Sequence, residues 1–282
     1  MSKLRTVKHI FNGIPASDGA GVQLTRIIGS PYINMLDPFL LLDAFGSDKP
    51  QDYIAGFPPH PHRGFETVTY MLAGKMRHED SAGNAGVIES GGVQWMTAGK
   101  GIIHSEMPEQ EEGLLSGFQL WVNLPASHKM TAPKYQERTS AEIAVEENDG
   151  IKIKVIAGQT KNGTKGVIDN DFVTPIYWDV HQQSGANLQE DITLGHNAFV
   201  YVYQGAINID DKTDSAQPVT QGQLAVLSDG DSVSISATSD AKYILVSGKP
   251  LNEPVARSGP FVMNTREEIN KAFYDYQMGN FA

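Results

Sequence analysis

His60 and His62 sit one residue apart in the segment Gly56-Phe-Pro-Pro-His60-Pro-His62-Arg-Gly-Phe-Glu66, and further along His104 and Glu106 repeat the spacing in Gly101-Ile-Ile-His104-Ser-Glu106. Side chains of an extended segment alternate between faces with a period of two, so each pair projects from one face of its strand. Glu66 shares the parity of His60 and His62. Two such strands facing each other would offer three imidazoles and a carboxylate. Imidazole suits Fe, Cu, Ni and Zn, and a carboxylate adds a hard anionic donor. The set therefore favours a divalent first-row metal over Mg or Ca, with coordination positions left open. One His-x-His pair alone is ambiguous, because surface or hydrogen-bonded core histidines share its spacing; the second His/Glu pair makes a metal site the expectation. His9, His78, His128, His181 and His196 carry no ligand spacing and read as ordinary surface or core residues.

The elements that must position these residues read as β-strands. Glycine at 28 and proline at 15, with only 20% charged residues, suit a turn-rich β protein better than a helical one. Strand-like runs in the first half include Val22–Ile28, Thr67–Leu72, Val93–Met96 and Gly117–Val122, separated by turns such as Ala73-Gly74 and Ser90-Gly-Gly92. Leu124–Pro133 then breaks the pattern with two prolines, and Glu137–Gly150 is polar and acidic, which puts a domain junction about there. Strand-like runs resume at Ile151–Ile156, Ile176–Val180, Ala198–Tyr203, Gln223–Leu227 and Tyr243–Val246. The expected organisation is 1–132 and 133–282, two all-β units related by a degenerate duplication. A short helix is expected from Thr265, an N-cap with Glu268 three residues on. Phe57, Trp95, Met107 and Trp121 flank the motifs, and as large apolar side chains beside strands they read as core.

Composition excludes several functions. Lys plus Arg number 22 against 33 acidic residues, a formal charge of -11, and no basic block could track a phosphate backbone, so direct nucleic-acid binding is not expected. Cysteine is absent, which removes disulfides, thiolate ligands and cysteine nucleophiles and fits a reducing cytoplasm. The basic N-terminus lacks the apolar stretch of a secretory signal, and no apolar run approaches the roughly 18 residues that cross a bilayer.

Several phrases of the chain together resemble the pirin family of bicupins over nearly the whole length. They are Asp37-Pro-Phe-Leu-Leu-Leu-Asp43, Phe57-Pro-Pro-His-Pro-His-Arg-Gly-Phe-Glu66, Val93-Gln-Trp-Met-Thr-Ala-Gly-Lys-Gly-Ile-Ile-His-Ser-Glu106, Gly117-Phe-Gln-Leu-Trp-Val-Asn-Leu-Pro125 and the tail from Glu253 to Gly279. The resemblance implies two tandem cupin jelly-roll barrels packed together, with a short C-terminal helix. It further implies a metal, usually Fe2+, in the N-terminal barrel and a metal-free C-terminal one; Mn, Co, Ni, Cu or Zn would also suit the donors. The implied ligands are His60, His62, His104 and Glu106, with Glu66 as a residue that orients an imidazole. The implied activity is a dioxygenase that opens the heterocycle of quercetin-like flavonols, with a small aromatic or enolic substrate, dioxygen, and Glu106 as the catalytic proton acceptor. The alternative is a non-enzymatic iron-binding regulator that acts through a protein partner.

Overall fold

The computed structural model describes residues 3–209 and 218–282. Contacts divide the chain into two compact units, one of Ile14–Ser140 with Leu251–Ala282, the other of Met1–Gly13 with Ala141–Pro250. A cut at 132/133 is therefore not how the contacts group. Each unit takes in the terminus that a sequential division assigns to the other. The physical reason is pairing: the strand Val7–Asn12 hydrogen-bonds along Gln223–Leu227 and covers what would be an open sheet edge. No helix among the described residues is long and apolar enough to cross a membrane.

Each unit is built from a seven-stranded and a four-stranded sheet. In the unit with the histidine motif, the larger sheet runs Lys134–Arg138, Val93–Thr97, Phe65–Ala73, Leu115–Asn123, Phe39–Ser47, Val22–Ile28, Ile14–Asp18. The smaller runs Phe57–His62, Ile102–Pro108, Lys75–Asp80, Ala85–Glu89. Burial alternates along Lys75–Asp80 and Ile102–Pro108, as half-buried strands require, whereas Phe65–Met71 and Val93–Thr97 are buried on both faces. Lys75–Asp80 and Lys134–Arg138 are nearly all polar and lie outside the strands expected from sequence; cross-strand pairing, not hydrophobic pattern, makes them extended. In the other unit the larger sheet runs from Val7–Asn12 through Gln223–Leu227, Asn197–Gln204, Ala241–Gly248, Ile176–Gln182 and Ile151–Ala157 to Ala144–Asn148. Its interior is an apolar core in which Trp178, Val200, Ile235, Tyr243 and Leu245 are fully buried.

The helix forms at Arg266–Gln277 with the expected capping box, the Thr265 hydroxyl accepting from Glu268 N–H and the Glu268 carboxylate accepting from Thr265 N–H. Ile269 and Ala272 bury against Phe261, Met263 and Phe281. This C-terminal segment is tied to the turn that follows His62. Arg63, 3% exposed, donates to an Asp275 carboxylate oxygen at 2.7 Å, reaches the Lys100 carbonyl, and stacks over the Phe281 ring at 4.4 Å. Gly64 has φ +87, and an added Cβ would lie 2.0 Å from the Val262 carbonyl oxygen, so only glycine fits there. The buried Lys129 ammonium donates to the carbonyls of Gly64 and Val262 at 2.7 and 3.0 Å and to Asn123 Oδ1 at 2.7 Å, one acceptor for each of its protons. Burial pulls its pKa down to about 8.

Arg63 and, after it, Lys271 hold the Asp275 carboxyl below its usual value. A depressed carboxylate contributes stability that is fully present above its unfolded pKa and is lost as pH falls through the folded one. Asp275→Asn is thus expected to cost about 3 kcal/mol at neutral pH by leaving Arg63 buried without its counter-charge. The gap to wild type, read from denaturant melts, should close progressively below about pH 4. A gap unchanged down to pH 2 would show that the ion pair is not what the substitution removes.

Candidate metal centre

Strand register brings the motif together. His104 lies directly across from His60, and Ile102 from His62, in the antiparallel pair formed by Ile102–Pro108 and Phe57–His62. The three imidazoles converge: ring centroids are 4.7 Å apart for His60 and His62, 4.4 Å for His60 and His104, and 5.0 Å for His62 and His104. One ring nitrogen from each lies within 4.8 Å of the other two. Between His104 and Glu106 the register shifts, so that Glu106 faces Phe57 on one side and His78 on the other. Glu106 is 5% exposed and lines the same cavity, yet it falls outside the close three-nitrogen group. Glu66 is buried too and accepts a hydrogen bond from the Thr97 hydroxyl at 2.7 Å.

The proton positions follow from the partners. His60 Nδ1 lies 2.9 Å from the Pro58 carbonyl, which can only accept, so Nδ1 carries a proton and Nε2 is the nitrogen turned toward the other imidazoles. That Nε2 is 3.0 Å from Nε2 of His62. His104 is 1% exposed, and neither of its nitrogens has a hydrogen-bond partner; His62 Nδ1 is in the same state. Burial, with the neighbouring imidazoles adding to it, pushes His62 and His104 well below the usual imidazole pKa. For His62 the Pro260 carbonyl pulls the other way, but without a hydrogen bond of regular geometry at Nδ1. Two buried imidazoles with nitrogens left unpartnered, packed against a third, carry a desolvation cost that a bound cation would relieve. The donor set fits a divalent first-row metal.

A row of polar residues crosses the larger sheet beside this cluster. Arg26 pairs in register with Asp43, Asp43 with Gln119, Gln119 with Thr69, Thr69 with Gln94, and Gln94 with Glu137. The Thr69 hydroxyl is 2.9 Å from Glu106 Oε1 and 2.6 Å from Gln119 Oε1. One hydroxyl proton cannot serve two acceptors. A Gln119 amide turned over to donate its N–H to Thr69, with Thr69 donating to Glu106, satisfies all three groups. At the far end, Glu137 meets His78 Nε2 at 2.6 Å and Gln94 Nε2 at 2.9 Å, and the contact with His78 holds its carboxyl below the usual value.

The cavity has a volume of about 590 Å³, within the range of small-molecule sites. His60, His62 and Glu106 line it together with Phe57, Gln119, Trp121, Arg26, Asp43 and Arg257. Phe57 therefore lines the cavity, and Trp121 both lines it and packs on the core residues Leu40, Phe65 and Val262, whereas Trp95 is buried at 1% exposure. The signal for Trp121 was its parity: it shares a strand face with Gln119, and a polar residue on that face marks it as lining a wet space. Nothing local points to Arg257, which arrives from the C-terminal tail on the short strand Ala256–Ser258.

Comparison with known proteins agrees with this fold. The pirin domain profile matches residues 21–122, and that of the pirin C-terminal cupin domain matches 177–282. A pirin-like protein of Caulobacter vibrioides is 51% identical over 280 residues, covering 99% of each chain. Pirin of Homo sapiens is 44% identical over 264 residues, 93% of this chain and 88% of that one. A crystal structure of a quercetin 2,3-dioxygenase from Acinetobacter baumannii matches with a TM-score of 0.91 at 35% identity, covering 99% of each chain. Identity spread over the full length, on a fold of paired two-sheet units matched by solved bicupins, means that the chain belongs to the pirin family.

Proposed function

We propose that this protein is a metal-dependent dioxygenase that opens the heterocycle of quercetin-like flavonols, with His60, His62, His104 and Glu106 as metal ligands and iron as the native metal. The observation that carries this reading is the convergence of three imidazoles, two of them buried with unpartnered nitrogens, beside a cavity large enough for a flavonol that His60 and His62 line. The Acinetobacter baumannii structure that shares the fold at 35% identity bears the name of that activity. A metal in this site supplies Lewis acidity for an enolic hydroxyl and redox chemistry for dioxygen.

The chain's own residues supply the rest. Phe57 and Trp121 offer apolar faces to a planar ring system. Glu106, held through Oε1 by the Thr69 hydroxyl, accepts the proton of the flavonol 3-hydroxyl. The low polarity around the buried donors keeps the imidazoles neutral and so available as ligands. Overall, one dioxygen is consumed, the heterocycle opens, and one carbon monoxide leaves.

Anaerobic reconstitution with Fe(II), followed by quercetin and oxygen, is expected to bleach the flavonol absorbance with release of carbon monoxide. Absence of bleaching with every one of Fe, Mn, Co, Ni and Cu would sink the assignment. Glu106→Gln should lower kcat by about 100-fold or more, the usual contribution of a positioned proton acceptor, while leaving the fold intact by circular dichroism. His104→Ala should weaken metal binding beyond the roughly 10–100-fold typical of losing an outer partner, as read by elemental analysis after dialysis. Retention of stoichiometric metal in that variant would remove His104 from the ligand set.

A further inference from the structure

Two guanidinium groups line the cavity, and they differ in what they have left to give. Arg26 is committed: its Nε and Nη2 donate to the two Asp43 oxygens at 3.0 and 2.7 Å, and Nη2 also to Asp18 at 2.8 Å. Arg257 is not. Among the described residues its one hydrogen bond runs from Nη1 to the Leu40 carbonyl at 3.2 Å, and no carboxylate forms an ion pair with it. Its guanidinium lies over the Trp121 indole at 4.7 Å from the ring centroid. The same indole meets His62 edge-on at 5.2 Å. A single aromatic ring thus separates the histidine cluster from a positive charge whose orientation is fixed by stacking and by one backbone carbonyl, and whose remaining N–H donors are uncommitted. The carboxylates on the same cavity wall, Asp43 and Asp18, are engaged by Arg26, so Arg257 keeps donors free for an anion.

We propose that Arg257 is a specificity residue that binds an ionised oxygen of the substrate. Given the cavity as the substrate site, an assumption taken from the proposed function, the substrate class is a planar aromatic or enolic molecule with two polar ends. One end is the hydroxyl presented to the histidine cluster; the other, about one ring away, is a carboxylate or an acidic phenolate. A planar fork of N–H donors matches either oxygen anion, and the Trp121 face beneath it continues as the surface on which the ring system lies.

The test is equilibrium binding to the metal-loaded full chain, by calorimetry at neutral pH, of 6-hydroxy-2-naphthoate and its neutral isostere 6-hydroxy-2-naphthamide. The acid is expected to bind about tenfold or more tightly than the amide, and Arg257→Gln should erase that preference while leaving amide affinity unchanged. If R257Q does not fold, Arg257→Lys carries the test: it keeps the charge but loses the fork, and should weaken the acid about threefold or more without affecting the amide. Equal affinities in wild type, a preference that survives R257Q because the carboxylate sits on the metal, or unchanged acid affinity in R257K would each overturn the proposal. Because turnover is not measured, the outcomes separate. Flavonol consumption without a charge preference removes the role of Arg257 and leaves the dioxygenase reading, while a charge preference without flavonol consumption does the reverse.

Discussion

Two buried cations hold the turn on which the histidine cluster hangs. Arg63 and Lys129 are 3% and 1% exposed, and each donates to groups brought in from distant segments: Arg63 to the Asp275 carboxylate and the Lys100 carbonyl, Lys129 to the carbonyls of Gly64 and Val262. Removing either cation would leave buried acceptors unpaired, a cost that exceeds the modest net gain of any one hydrogen bond. Between them lies Gly64, whose positive φ and close approach to Val262 leave no room for a side chain. His62 enters this turn directly, so its imidazole position is set by a backbone that cannot relax without breaking several buried bonds at once. The C-terminal strands and helix thereby become part of the support of the histidine cluster, although none of their residues belongs to it.

Inside the same unit the usual arrangement of a β interior is inverted along one row. Arg26, Asp43, Gln119, Thr69, Gln94 and Glu137 sit side by side across strands where aliphatic side chains would be the default. Such a row is tolerable only when its members satisfy one another, and they do so in short stretches: Arg26 with Asp43, Gln119 with Thr69 and Glu106, Gln94 with Glu137 and His78. Burial pushes the Asp43 carboxyl up while its contact with Arg26 holds the guanidinium above its usual value, a balance in which the bidentate geometry offsets the lost hydration. The interior of the other unit, filled by Trp178, Tyr243, Leu245 and their neighbours, follows the ordinary apolar rule.

Much of the strand content was legible because β-branched and aromatic runs bounded by glycine turns leave few alternatives. Val22–Ile28 and Gln223–Leu227 form with the limits that their residues suggest. Lys75–Asp80 and Lys134–Arg138 were not legible, since five of the six residues of the first and four of the five of the second are charged or polar, and only a neighbouring strand recruits them. Lys129 was hidden for a related reason. It lies in a proline-broken stretch that reads as linker, and two of its three acceptors, the Gly64 and Val262 carbonyls, come from distant parts of the chain.

For the candidate metal centre, the sequence by itself determined the candidate donors: a period of two put His60 with His62 and His104 with Glu106, because extended backbone alternates its faces whatever the surrounding fold. Tertiary structure decided which of them meet. Antiparallel register set His104 opposite His60, and a register shift before Glu106 left the carboxylate on the cavity wall, outside the tight three-imidazole group. It also decided what surrounds them, bringing Trp121 from one sheet and Arg257 from the tail to a single cavity. Those choices depend on hydrogen-bond pairing between segments far apart in the chain, and no local pattern encodes such pairing.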